Sequence, residues 1–241
     1  MSLGAVLFDM DGVLIDSARV ADQLLLATAE GHGASLTKHN LDALRGLSGV
    51  QFWSEVKERF DLPGEVSEYL DSYDAELEVS SYTRDLLAPG IEVLLTALFS
   101  EGIPTALVTS ATCWRTDHVL ALLETRRTLS AVVCADDVSA PKPDPGPYSV
   151  AASRLRVAPE QCLVIEDSLS GVTSARAAGM AVLSYVGFGA HPEATETADG
   201  VIEDFRLVTL DSLRARHEQA TPRGGRSRCR EPDGTPLTES S

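Results

Sequence analysis

AVLFDMDGVLIDS, residues Ala5 to Ser17, is the stretch on which the fold reading turns. Ala5, Val6, Leu7 and Phe8 form an unbroken apolar run, the pattern of a short strand buried on both faces of a parallel sheet. Asp9 stands where that run ends, and Asp11 follows two residues later. Gly12 has no side chain and lets the backbone turn sharply away from the strand end. Two carboxylates gathered at the mouth of a buried strand repel one another. A hard cation such as Mg²⁺, which prefers oxygen ligands, offsets that repulsion. On its own, a D-x-D pair is also what an acidic turn after an edge strand looks like.

Outward from this stretch the period changes. Val20, Leu24, Leu25 and Thr28 recur at helical spacing until Gly31 and Gly33 end the run. Further helices are predicted over Thr37 to Leu47, Gly49 to Phe60 and Glu65 to Leu87, with no strand between Ser17 and Asp85. Such a block reads as a small helical bundle, residues 17–85, inserted into an α/β core made of residues 1–16 and 86–217. Trp53, in helical register with Val56 and Phe60, is expected to pack inside the bundle. Beyond Ala88-Pro89-Gly90 a helix is marked by Ile91, Leu94, Leu95 and Leu98. Strand signals follow at Thr105 to Val108, Ala131 to Cys134, Cys162 to Ile165, Ala181 to Tyr185 and, weakly, Gly200 to Ile202. Helices between and after them fall at Trp114 to Glu124, Gly146 to Leu155, Ser168 to Ala178 and Leu207 to His217. This alternation is that of a doubly wound parallel sheet, in which ligands bind beyond the carboxyl ends of the strands. Residues 218–241 turn to Pro, Gly, Ser, Thr and charge, with RGGRSRCR inside them, and are expected to form a disordered tail.

Composition narrows the function classes. A hydrophobic fraction of 44% in 241 residues supports a sizeable core, while 20 basic against 36 acidic residues give a formal charge of −16. That balance argues against a nucleic-acid surface. No run reaches the apolar length of a membrane span and no signal-peptide pattern opens the chain, so a cytoplasmic protein without a membrane partner is expected, as a monomer or weak homodimer. The four cysteines, Cys113, Cys134, Cys162 and Cys229, show no CxxC spacing and are expected to be free thiols.

At the other strand ends, the residues offer groups suited to a phosphate. Thr109 and Ser110 precede a helix whose N-terminal N–H groups can hold an anion, although Ser and Thr are also ordinary helix caps. Lys142 lies between Pro141 and Pro143, which stiffen the backbone around its ammonium. Glu166 and Asp167 end a buried apolar run and offer metal ligands, or a favourable charge at the next helix start.

The joint occurrence carries more than each part. DMDGVLIDS, Thr109 in ALVTSA, Lys142 in PKPDP and Glu166-Asp167 in VIEDSLSGVTSARAAGM resemble the four motifs of the haloacid dehalogenase-like superfamily of aspartyl-phosphate phosphotransferases. The likeness runs from Gly4 to about Phe188, with the helical insertion where the phosphoglucomutase-like, C1-capped branch carries its cap. It implies Asp9 as nucleophile and Asp11 as general acid, then base. It further implies Thr109, Ser110 and Lys142 on phosphoryl oxygens, and Mg²⁺ held by Asp9, the Asp11 carbonyl and Asp167, with Glu166 ligating through water or orienting that shell. A Mg²⁺-dependent phosphatase of a small phosphorylated metabolite is therefore expected, a sugar, polyol or amino-sugar phosphate foremost. Cap contacts would come from around Arg45, with Arg19 and Arg115 as further cations. Dehalogenases of the superfamily lack an acid at the position of Asp11. The β-phosphoglucomutases carry a histidine, an arginine and a Lys-Asn pair where this chain has Ala21, Gly49 and Thr112-Cys113, which favours water over a sugar as acceptor. A non-catalytic binding relative is the remaining alternative.

Overall fold

In the computed structural model, which describes residues 2–44, 47, 49–189 and 191–220, β1 (Ala5–Phe8) is an interior strand of a six-stranded sheet. All its residues are 0–1% exposed. Its neighbours are β2 (Thr105–Val108) and β4 (Cys162–Glu166), with Phe8 in register with Leu107 and Ile165. β3 (Ala131–Val133), β5 (Ala181–Tyr185) and β6 (Val201–Ile202) complete the order β3-β2-β1-β4-β5-β6, parallel throughout. The strand order reverses between β1 and β4, so the crevice of such a sheet opens at their carboxyl ends, where Asp9 and Glu166 lie. Helices α6 (Ile91–Ser100), α7 (Cys113–Leu122), α8 (Gly146–Leu155), α9 (Leu169–Ala177), α10 (Pro192–Thr197) and α11 (Leu210–Ala220) belong to this part of the chain. The apolar side chains of the two sheet faces fall into two separate buried clusters, as covering helices on both sides require.

Between β1 and α6 come α1 (Ala18–Gly31), α2 (Lys38–Ala43), α3 (Gly49–Phe60), α4 (Val66–Asp71) and α5 (Ala75–Ser80), and among the described residues of 18–85 there is no strand. These helices hold a third buried cluster of their own. At its centre Trp53 is 1% exposed, stacked on Tyr69 at 5.5 Å and met edge-on by Phe52 at 5.2 Å, the packing role its spacing predicts. The two crossings between core and helical insertion run side by side: Asp16 N donates to Leu86 O at 2.9 Å and Ala88 N to Leu14 O at 2.9 Å. This pairing brings the last part of the insertion, around Glu78 and Tyr82, next to the turn that carries Asp11.

Two of the boundary differences from the sequence reading arise because a local hydrogen bond overrides an unbroken apolar period. The expected helix over Glu65 to Leu87 is broken into α4, α5 and a 3₁₀ turn at Arg84–Leu86, since Asp74 accepts from Leu77 N at 2.8 Å and starts a new helix there. The expected Leu207 start moves to Leu210: Thr209 and Ser212 exchange bonds of 3.0 and 3.2 Å in a capping pair. Finally, residues 218–220, expected in the tail, complete α11, and 221–241 lie outside the described residues.

Candidate active site at the strand ends

Asp9 follows β1 directly and is 7% exposed, its N–H donating to Ile165 O at 3.0 Å. Lys142 reaches it from the loop after β3. Its Nζ lies 2.5 Å from Asp9 Oδ1, 2.6 Å from Glu166 Oε1 and 3.0 Å from Val108 O, with the side chain 4% exposed. Glu166, the last residue of β4, is completely buried. Besides Lys142, its Oε1 accepts from Tyr148 OH at 2.8 Å, while Oε2 accepts from the N–H groups of Asp167 (3.0 Å) and Ser168 (3.1 Å) and from Ser168 Oγ at 3.0 Å. Both oxygens are thus engaged by donors, which suits orientation of the neighbouring groups. Asp9, Glu166 and Asp167 each offer a carboxylate oxygen within 4.8 Å of the others'.

Glycines make this closeness possible at two points. Gly12 turns with φ +80°, and a Cβ there would fall on the Asp167 carboxylate. At Gly171, in α9, a Cβ would fall on the carboxyl of Glu166.

The acids outnumber their cation, and their proton affinities show it. Burial, followed by the charge of Glu166, pushes Asp9 well above the usual carboxylate range, against the pull of Lys142. Asp167 is raised to about 7 by burial and then by Glu166. For Lys142, burial alone would lower the ammonium, but Asp9 and Glu166 outweigh it and hold the amine charged well above its ordinary range. Glu166 goes the other way: burial opposes its ionisation, yet Lys142 and the donors around it keep its carboxyl below the ordinary value. Glu166 and Lys142 therefore form the ion pair proper, and the surplus negative charge falls on Asp9 and Asp167.

The remaining expected residues are placed as follows. Thr109, directly after β2, is 3% exposed, and its Oγ1 accepts from Ala111 N at 3.0 Å. Ser110 is exposed beside it. The capping function falls instead to Thr112, which accepts from Arg115 N at 3.4 Å. Asp11 Oδ1 accepts from Ser17 Oγ at 2.5 Å and from Arg115 Nη2 at 2.9 Å. Arg115, expected as a free cation for a substrate, is in fact committed to Asp11, Glu78 and Tyr82. Arg19 pairs with Asp85 at 3.5 Å. Arg45 lies outside the described residues. A cleft of about 800 Å³ opens beside Gly12 and Asp167 between the helical insertion and the core, with Asp16, Arg19, Lys38 and His191 in its wall.

The free-thiol expectation fails for two cysteines. Cys113, first residue of α7, and Cys134, just past β3, are joined in a disulfide with Cα atoms 5.3 Å apart. Their sequence separation of 21 gives no hint of it; the pairing of β2 with β3 brings the two strand ends together. Cys162 remains free and buried.

Several contributors were not singled out from the sequence. Tyr148 carries Lys142 over its ring at 4.9 Å as well as bonding Glu166, yet in GPYSVAA it reads as one more apolar helix position. Ser17 bonds Asp11 from six residues on, while Glu78 and Tyr82 reach its arginine only through the fold. A signal was present for Ser168 alone, a cap residue directly after two acids.

Comparison with known proteins agrees with this geometry. The family model described as haloacid dehalogenase-like hydrolase matches residues 6–185. A phosphorylated carbohydrates phosphatase of Thermotoga maritima is 33% identical over 185 residues, which cover 73% of this chain and 82% of that protein. The bifunctional riboflavin kinase/FMN phosphatase of Arabidopsis thaliana is 28% identical over 207 residues, 86% of this chain, which spans only 54% of that longer protein. Among solved structures, a candidate β-phosphoglucomutase from Thermotoga maritima superposes with a TM-score of 0.72 at 27% identity, covering 88% of this chain and 98% of its own.

Proposed function

Since the chain belongs to the haloacid dehalogenase-like hydrolase family, we propose that it is a Mg²⁺-dependent phosphomonoesterase working through an aspartyl-phosphate on Asp9. The observation that carries this reading is the Asp9–Lys142–Glu166 contact at 2.5 and 2.6 Å, with Asp167 alongside. It sets a buried carboxylate nucleophile beside a fixed cation and a surplus of acid. That surplus also fits a divalent metal: the donors are all oxygen, close together, and hold Asp167 at about 7 in the protein's own field. Asp9, the Asp11 carbonyl and Asp167 would hold the ion, with Glu166 orienting them. When bound it supplies charge neutralisation at the phosphoryl oxygens.

The chain's own residues do the rest. Asp9 attacks phosphorus in line and expels the alcohol. Lys142 and Thr109, with Ser110 at the rim, hold phosphoryl oxygens so that an anion can approach a carboxylate. Asp11 gives its proton to the leaving oxygen and takes one from the water that cleaves the acyl phosphate. A sugar or polyol phosphate suits the mixed polar wall of the 800 Å³ cleft, and the similarity to a carbohydrate-phosphate phosphatase supports that class. Ala21, Gly49 and Thr112-Cys113, standing where the mutase pattern has other residues, support water as the acceptor. The test is phosphate release from a panel of sugar, polyol and amino-sugar phosphates with and without Mg²⁺. Turnover that survives a chelator would refute the metal assignment, and release from none of the panel would refute the substrate class.

The acid surplus also makes metal binding and pH interact. A carboxyl raised in the folded state from 3.8 to about 7 favours folding below its unfolded value and loses that contribution as pH rises through about 7. At about pH 8 the ionised acids therefore repel, and a bound cation relieves them most there. Mg²⁺ should raise the melting temperature clearly at about pH 8 and little at about pH 5.5, where protons occupy the same oxygens. Equal shifts at both values would show that these acids do not bind the ion.

A further inference from the structure

The guanidinium of Arg115 has no part in the reaction above, yet it holds Asp11, which does. Arg115 leaves the first turn of α7, and its Nη2 donates to Asp11 Oδ1 (2.9 Å), Glu78 Oε1 (3.1 Å) and Tyr82 OH (2.6 Å). Nε adds a second bond to Tyr82 OH at 3.0 Å. Glu78 is held in turn by Tyr73 OH at 2.7 Å and by Tyr82 OH. Asp11 belongs to the core turn, Arg115 to a core helix, and Glu78 and Tyr82 to the end of the helical insertion beside its return crossing. One cation therefore ties together three parts of the chain.

Charge and geometry both decide what it can do. Two carboxylates already meet this guanidinium, so it has little net charge left for a substrate phosphate. Its side chain is 26% exposed and that of Glu78 only 11%, so these charges are partly shielded from water. Asp11 would otherwise have only Ser17 Oγ to fix its rotamer on that oxygen. We propose that Arg115 is a positioning residue for Asp11: it sets the direction of the proton-carrying carboxyl and, through Glu78 and Tyr82, registers that direction to the helical insertion. This rests on the phosphatase reading, in which Asp11 protonates the leaving oxygen.

Leaving groups separate this role from a structural one. A sugar or polyol alkoxide cannot depart without a proton, whereas p-nitrophenolate can. kcat/KM reports the first irreversible step, alcohol departure, and excludes the later hydrolysis of the acyl phosphate. Arg115→Met should lower kcat/KM for the best alkyl phosphate substrate by about 10²- to 10³-fold and for p-nitrophenyl phosphate by less than about tenfold, with KM little changed. Glu78→Gln, which loosens the guanidinium without removing it, should give the same selectivity with a loss of about tenfold on the alkyl phosphate, and it decides the matter if Arg115→Met does not fold. Equal losses on both substrates, a change confined to KM, or no loss in either variant would overturn the proposal. A wild-type protein inactive on both substrates would overturn the phosphatase reading, and this proposal with it. Activity on both without leaving-group selectivity in the variants sinks the Arg115 role alone.

Discussion

Asp9→Asn should reduce phosphate release to background, a loss of about 10⁴-fold or more, because an amide oxygen does not form the acyl phosphate on which the whole sequence of steps depends. The substitution keeps shape and still offers Lys142 an oxygen, so the fold should survive it. Its effect on stability should even be favourable. Burial and Glu166 push Asp9 well above its ordinary range in the folded state, which means that its ionised form is held at a cost. Removing that charge should leave the melting temperature of the metal-free protein unchanged or raise it by an amount worth about 1 kcal/mol. Steady-state turnover and thermal unfolding, measured on the same preparation, check both halves. Turnover within tenfold of wild type would remove Asp9 from the nucleophile's role, and lost turnover with a lowered melting temperature would mean that the residue holds the fold.

How far the sequence carried these conclusions depended on the kind of signal. β1 was readable because four apolar residues in a row, followed by acid, are what a strand covered on both faces produces, and the structure leaves those residues no more than 1% exposed. The convergence of Asp9, Lys142, Glu166 and Asp167 was readable because each lies at or beyond the carboxyl end of a strand, and a parallel sheet brings all such ends to one edge. By contrast, Arg115 was misjudged as a free cation. Its partners Glu78 and Tyr82 come from a helical segment whose position depends on the pairing of Asp16 and Ala88 across the two crossings, and no local pattern encodes that pairing. The same holds for Cys113 and Cys134, which meet only because β2 and β3 are neighbours. Periodicity also overran helix ends wherever a polar cap, such as Asp74 or Thr209, interrupts the chain without interrupting its apolar rhythm. Arg45, the leading cap contact from sequence, lies outside the described residues; among the described residues the basic side chains in the cleft wall are Arg19, Lys38 and His191.

Lys142 offers the sharpest test of how the site is held together. Its ammonium is the cation shared by Asp9 and Glu166, at 2.5 and 2.6 Å, with its side chain 4% exposed. Lys142→Met keeps the apolar stem and deletes the charge, together with the ammonium's contact over the Tyr148 ring. Breaking a buried pair by removing one partner costs about 3–5 kcal/mol, which for a domain of this size is a fall of roughly 6–20 °C in melting temperature for the metal-free protein. The sign with pH follows from the acids left behind. Without the ammonium, Glu166 loses what holds its carboxyl below the ordinary value, and Asp9 is pushed further up. Both then titrate higher in the folded state than in the unfolded chain, so the variant's deficit is largest at alkaline pH and shrinks toward acid as protons replace the missing cation. Turnover should fall by about 10²- to 10³-fold, as for loss of one preorganised group facing the transferring phosphoryl. A deficit that stays constant from about pH 5 to about pH 9, or one below about 1 kcal/mol, would mean that Lys142 does not bear the charge of the two acids. The buried contact from which the phosphatase reading starts would then carry no electrostatic weight.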